Sequence, residues 1–89
     1  MRTPSYSGQF KRDVKLAAKR GKEMQKLRSV IELLLSGEPL PRELSDHPLK
    51  GNWKPRRDLH LEHDWLLIYC ADEDVVHFDR TGTHADLFG

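Results

Sequence analysis

All five histidines of this 89-residue chain (His47, His60, His63, His77 and His84) fall in its second half, with aspartates and arginines among them. Three polar clusters stand out: Asp46-His47, Asp58-x-His60-x3-Asp64 and Arg80-Thr-Gly-Thr-His84. An imidazole has an unperturbed pKa of about 6.5, so it can take up or release a proton near neutral pH. A guanidinium carries a fixed, planar positive charge that matches phosphate oxygens. Together these groups suit cleavage of an RNA phosphodiester without metal. One group removes the 2′-hydroxyl proton, a second protonates the 5′-oxygen leaving group, and a cation stabilises the charge on the phosphorane. The same residues also have an ordinary reading, because histidines beside carboxylates are common on solvated surfaces.

A metal site competes for the same side chains. His60-x2-His63-Asp64 with His84 offers enough ligands for zinc. The spacing argues against it: His60 and His63 lie three apart on a strand and turn, where they do not share a face as they would on a helix. No second cysteine accompanies Cys70. No metal and no cofactor is therefore expected. His63 sits in a turn and reads as a bystander or a perturber of its neighbours, and His77 and Cys70 read as strand residues.

These clusters must be positioned by the elements around them. Residues 4–7 read as a short first strand with Tyr6 toward the core. Ser7 or Gly8 opens a helix whose stripe is Phe10, Val14, Ala17 and Ala18. Gly21 breaks it. Met24, Leu27, Ile31, Leu34 and Leu35 recur at helical spacing in a second helix, stopped by Ser36-Gly37 and then Pro39 and Pro41. In residues 57–61, Asp58 and His60 alternate with Leu59 and Leu61, as on a half-buried strand. Strands over 65–71 and 75–80 follow, joined by the polar turns 62–64 and 72–74. Short connections imply antiparallel neighbours. The expected fold is α+β, ordered β-α-α-β-β-β, with a helical hairpin on one face of an antiparallel sheet. The other face stays partly open, and there His60, Asp64, Arg80 and His84 can share one rim, with His47 reaching in from the preceding loop. Trp53 and Trp65 read as packing residues.

The length suits a single domain spanning residues 1–89. The net charge of +1 conceals an asymmetry: residues 1–28 hold nine of the fifteen Lys and Arg and only two of the fourteen acidic residues. A second basic cluster, Lys50, Lys54, Arg56 and Arg57, interrupts the acidic half. Clustered positive charge attracts polyphosphate; otherwise it is a solvated face. The longest apolar run, Trp65 to Ala71, is far too short to span a bilayer, so no membrane association is expected. No secretory pattern opens the chain, and a single cysteine fits a reducing cytoplasm.

The combined stretch Asp46-His47-Pro-Leu49-x-Gly51-x-Trp53, Arg57-Asp58-x-His60-x3-Asp64-Trp65-x-Leu67-x-Tyr69 and Arg80-Thr-Gly-Thr-His84-x2-Leu87-Phe88 resembles the YafQ branch of the RelE/ParE toxin superfamily. The opening Tyr6-Ser-Gly-Gln-Phe10 and the run Asp13-Val-Lys-Leu16 share the likeness, which covers nearly the whole chain. The resemblance implies a ribosome-dependent endoribonuclease that cleaves mRNA in the A site and is neutralised by a cognate antitoxin. Carried over by position, His47, His60, Asp64 and His84 form the catalytic set. Arg80 is the phosphate contact, and Phe88 is an aromatic platform for a base. Lys50, Lys54, Arg56 and Arg57 are expected to touch RNA, and the basic helices to touch rRNA. Spacing does not decide which histidine is acid and which is base; with the resemblance, His84 is expected as the acid and His60 or His47 as the base. A different class remains open: a ParE-like toxin that binds gyrase and performs no catalysis, for which a histidine set is unnecessary.

Overall fold

The computed structural model describes residues 1–89. Strand β1 (Thr3–Tyr6) leads into helix α1 (Gly8–Lys19), whose first turn is closed by Ser7: its hydroxyl accepts from the Phe10 amide at 2.8 Å. Gly21, at φ 83°, makes the break expected after α1. Helix α2 (Met24–Ser36) ends on Gly37 in the left-handed conformation, the predicted stop. A 3-10 turn (Arg42–Leu44) then leads to a two-residue strand β2 (His47–Pro48), and a second 3-10 turn (Gly51–Trp53) precedes β3 (Arg57–Glu62). Strands β4 (Trp65–Ala71) and β5 (Val75–Gly82) follow, and a five-residue helix α3 (His84–Phe88) closes the chain.

The sheet order is β1-β5-β4-β3-β2. β2 to β5 form the expected antiparallel meander, while β1 lies parallel to β5. The reason is topological: the αα-hairpin carries the chain across the sheet between the two strands, so they run the same way. Four elements are too short to leave a period in the sequence: β2, both 3-10 turns and α3.

Eleven buried residues form the main core between helices and sheet, among them Phe10, Ala17, Leu27, Val30, Leu34, Leu59, Leu67 and Phe78. Trp65 is almost completely buried there, and its indole nitrogen donates to Thr81 Oγ1 at 3.0 Å. Two expectations shift. Ala18 is exposed and Asp13 is buried, so the α1 stripe turns toward a carboxylate. Tyr6, on the edge strand, is 41% exposed and lies flat over Phe10 and Phe78, with ring centroids 5.8 and 5.3 Å away. On the opposite face Leu66, Ile68 and Leu87 pack together with Leu49 and Trp53. That face is therefore roofed at one end by α3 and the loop after β2. The histidines sit at the margin of this roof.

Candidate active site

Each histidine of the rim is set by a different local device. His47 follows Asp46, whose carboxylate takes hydrogen bonds from Arg57 Nη2 (2.9 Å), Arg57 Nε (3.2 Å) and the Tyr69 hydroxyl. Pinned there, the chain pairs His47 with Asp58 across β2 and β3. The His47 ring donates from Nδ1 to the Ser45 carbonyl at 2.8 Å, and a carbonyl can only accept, so Nδ1 carries a hydrogen. Its Nε2 lies 2.9 Å from Asp58 Oδ1 without the alignment of a hydrogen bond, which leaves that buried oxygen with no other partner. His60 stands beside Asp58 on the same strand face, its ring centroid 6.3 Å from that of His47 and 5.7 Å from that of His84.

His84 is placed by the corner between β5 and α3. Thr83 caps α3 reciprocally with Asp86: the Thr83 hydroxyl accepts from the Asp86 amide, and the Asp86 carboxylate accepts from the Thr83 amide. Only glycine fits at position 82, because a Cβ there would come within 2.9 Å of Asp86 Oδ2. Arg20, at the end of α1, holds Asp86 from outside at 2.6 Å. The corner presents both the His84 amide (2.9 Å) and the His84 ring Nδ1 (2.5 Å) to Asp64 Oδ1. The carboxylate on Nδ1 fixes the tautomer and turns Nε2 outward.

The two carboxylates differ electrically. Hydrogen bonds from the His84 amide and then its ring hold Asp64 below the usual aspartate range. Burial pushes Asp58 up, while positive charge on His47, His60 and His84 pulls the other way. Asp64 thus stays an anion that orients a ring. Asp58 faces the His47 ring from a buried position. Three imidazoles within about one residue's breadth, one tied to an anion and one to a buried carboxyl, can donate a proton, accept one and hold positive charge around a single phosphate.

The other sequence candidates are distributed more widely. Arg80 does not stand free: Nε and Nη2 reach Asp13 on α1 at 2.8 and 3.3 Å. Arg56 pairs with Asp79 at 2.7 Å and lies over the Trp53 ring. Arg57 turns to the helix-covered face, where Asp46 and Tyr69 hold it. Lys50 and Lys54 are exposed, and no ion pair engages them. Phe88 is 45% exposed and packs edge-on against Trp53 at 5.5 Å. His63 is exposed beside Asp64, and His77 lies elsewhere with Ser5 and Asp79. No group of three or more His, Cys, Asp or Glu is arranged to hold a metal ion. The two surface grooves run along α2 (one bounded by Val30, Leu44 and Leu61, the other by Leu33 and Leu35), away from the histidines.

Sequence reasoning left three carboxylates out of the candidate set. Asp58 stood in the quoted motif, and its strand alternation with His60 already put both on one face. Asp13 occupies the i+3 place in the stripe Phe10-Asp13-Val14-Ala17, where a charged residue signals a buried partner. Asp46 carried no such signal, since its partners Arg57 and Tyr69 are joined only by the β3–β4 register.

Comparison with known proteins places this arrangement. Residues 2–89 match the family described as the bacterial toxin of type II toxin–antitoxin systems, YafQ. The mRNA interferase toxin YafQ of Escherichia coli K12 is 54% identical over 85 residues, covering 94% of this chain and 92% of that protein. In the crystal structure of the E. coli DinJ–YafQ complex, a chain 52% identical superposes with a TM-score of 0.94 over the whole of both chains. A metal-bound toxin from Helicobacter pylori is 37% identical and superposes at 0.91, covering 99% of this chain and all of that one. With its β-α-α-β-β-β-β-α order, its histidine rim and a match running from the second residue to the last, this chain belongs to the YafQ family of bacterial type II toxins.

Proposed function

We propose that the chain is an mRNA endoribonuclease that acts in the ribosomal A site, arrests translation and is held inactive by a cognate antitoxin. The observation that carries the reading is the gathering of His47, His60 and His84 around Asp58 and Asp64. The name of the E. coli relative and its complex with DinJ support it. A gyrase-binding toxin has no use for three imidazoles arranged in this way.

The chemistry follows from which nitrogens are free. His60, the ring not tied to a carboxylate, takes the 2′-hydroxyl proton. The 2′-oxygen then attacks phosphorus as the bond to the 5′-oxygen breaks, and His84, entering the step as an imidazolium with Nδ1–H on Asp64, delivers its Nε2 proton to that leaving oxygen and is left neutral. The products are a 2′,3′-cyclic phosphate and a 5′-hydroxyl, with no metal in the step. His47, whose Nδ1 is committed to a carbonyl, faces the buried Asp58 carboxyl with Nε2 and supplies positive charge. Arg80 contacts the phosphate, and Phe88, against Trp53, stacks on a base. Lys11, Arg12, Lys15 and Lys19 on the exposed face of α1, with Lys50 and Lys54, meet the RNA of the ribosome, and Arg56 and Arg57 add charge behind them. The cytoplasm, where ribosomes and antitoxin are available, is the site of action.

Purified protein mixed with programmed ribosomes tests the reading. Cleavage of A-site mRNA is expected, at the same rate with and without EDTA. Intact mRNA would refute the enzymatic claim, and an EDTA-sensitive rate would replace proton transfer with metal chemistry.

A further inference from the structure

The geometry assigns Asp13, on α1, as a positioning residue for the cleavage reaction: it fixes the Arg80 guanidinium so that one edge is left for the phosphate. This rests on the reading of Arg80 as the phosphate contact. Asp13 is 7% exposed, and both of its carboxylate oxygens are occupied. One accepts from Gln9 Nε2 (2.9 Å) and Arg80 Nη2 (3.3 Å), the other from Arg80 Nε (2.8 Å) and the Thr81 amide (3.2 Å).

A guanidinium has five N–H donors arranged as two forks. Asp13 consumes the fork made by Nε and Nη2. The second, made by Nη1 and the remaining Nη2 hydrogen, is unspent, and it is complete enough to take two phosphate oxygens. The carboxylate also raises Arg80 above its ordinary value and so guarantees its charge.

Position supports the assignment. β1 pairs with β5 only as far as Phe78, so the edge of β5 beyond it is open, and Asp13 occupies that edge by taking the Thr81 amide. Thr81 lies two residues before the Thr83 cap that presents His84. Arg80 is the cross-strand partner of Ile68, which in turn faces Asp58, so Arg80 and Asp58 stand in one row of the sheet. One carboxylate on α1 thereby sets both the orientation of the cation and the height of the strand end that carries the proton donor.

The test is a double-mutant cycle with Asp13→Asn, Arg80→Ala and the pair, read as cleavage rate at saturating programmed ribosomes, as half-saturating concentration and as thermal midpoint. Gln9→Ala serves as the control, because it removes a neighbour of Asp13 without touching Arg80. Asp13→Asn is expected to lower the saturated rate about 10- to 100-fold, the scale of a misplaced catalytic group, with the half-saturating concentration within about twofold. The pair should be no slower than Arg80→Ala alone, and Gln9→Ala should cleave at the wild-type rate. The proposal is overturned if Asp13→Asn keeps the wild-type rate, or if the two losses multiply, which marks an independent strut. It also falls if Arg80→Ala cleaves normally while the wild-type protein is active. A wild-type protein that leaves mRNA uncut removes the parent reading and this one together.

Discussion

Two carboxylates serve two histidines at opposite ends of the rim, and they do so under contrary conditions. Asp64 is in solvent, with 56% of its side chain exposed, and is held ionised by donations from His84. Asp58 is buried to 5% beneath His47 and His60, and its acidity is weakened by desolvation. The same residue type therefore does two things. One carboxylate holds the His84 ring through Nδ1, and the other lies buried against the His47 ring, whose Nδ1 is already engaged by a carbonyl. Environment, rather than residue identity, separates the roles.

The largest effect that tests this contrast is on rate. His84→Ala and His60→Ala are each expected to lower single-turnover cleavage about 10²- to 10⁴-fold, the usual scale for acid–base groups. His47→Ala should lose less, as a group that supplies charge without carrying the transferred proton. A His47 loss equal to that of His84, in the same assay, would erase the distinction between the two ends.

The next effect is on stability against pH, and the signs are opposite. A raised carboxyl binds its proton more tightly in the fold than in the unfolded chain, so Asp58 makes stability fall as pH climbs from the ordinary aspartate value through its folded one. The groups that bear on it are His47, His60, His84 and Asp46. Asp58→Asn should remove this fall. Asp64 is lowered, so its contribution is present above the ordinary value and disappears as pH drops through the folded one. Thermal midpoints measured between about pH 3 and 7 should therefore converge at low pH for wild type and Asp64→Asn, and diverge upward with pH for Asp58→Asn. Parallel curves for all three would show that the two surroundings are equivalent.

The smallest effect concerns the clasp behind His47. Burial, with the neighbouring Asp46 carboxylate, pushes the Tyr69 phenol up, so it remains a donor to Asp46. Tyr69→Phe removes that one bond and should cost about 1–2 kcal/mol in a denaturant titration, with His47 less firmly placed and cleavage reduced severalfold. An unchanged midpoint would mean that Arg57 alone suffices.

Much of this was legible in the chain. The alternation of Asp58 and His60 with Leu59 and Leu61, together with the two polar turns, sets the antiparallel meander and brings three distant histidines to one rim. Arg57, expected among the RNA contacts, instead lies on the leucine side of the strand, where Asp46 holds it away from the histidines. What escaped has a common cause. A capping pair such as Thr83 and Asp86 steers five residues, and β2 is only two residues long, so neither is long enough to show a period. The partners of Asp13 and Asp46 lie 67 and 11 positions away, joined by tertiary contact alone.

The first strand of the sheet pairs with the last. β1 finds its strand partner only after β2, β3 and β4 have been made, and the ring of residue 84 follows β5. A fragment released before that point has the histidines it has acquired but no frame to hold them. Completion of the fold is thus the step that brings the three rings together.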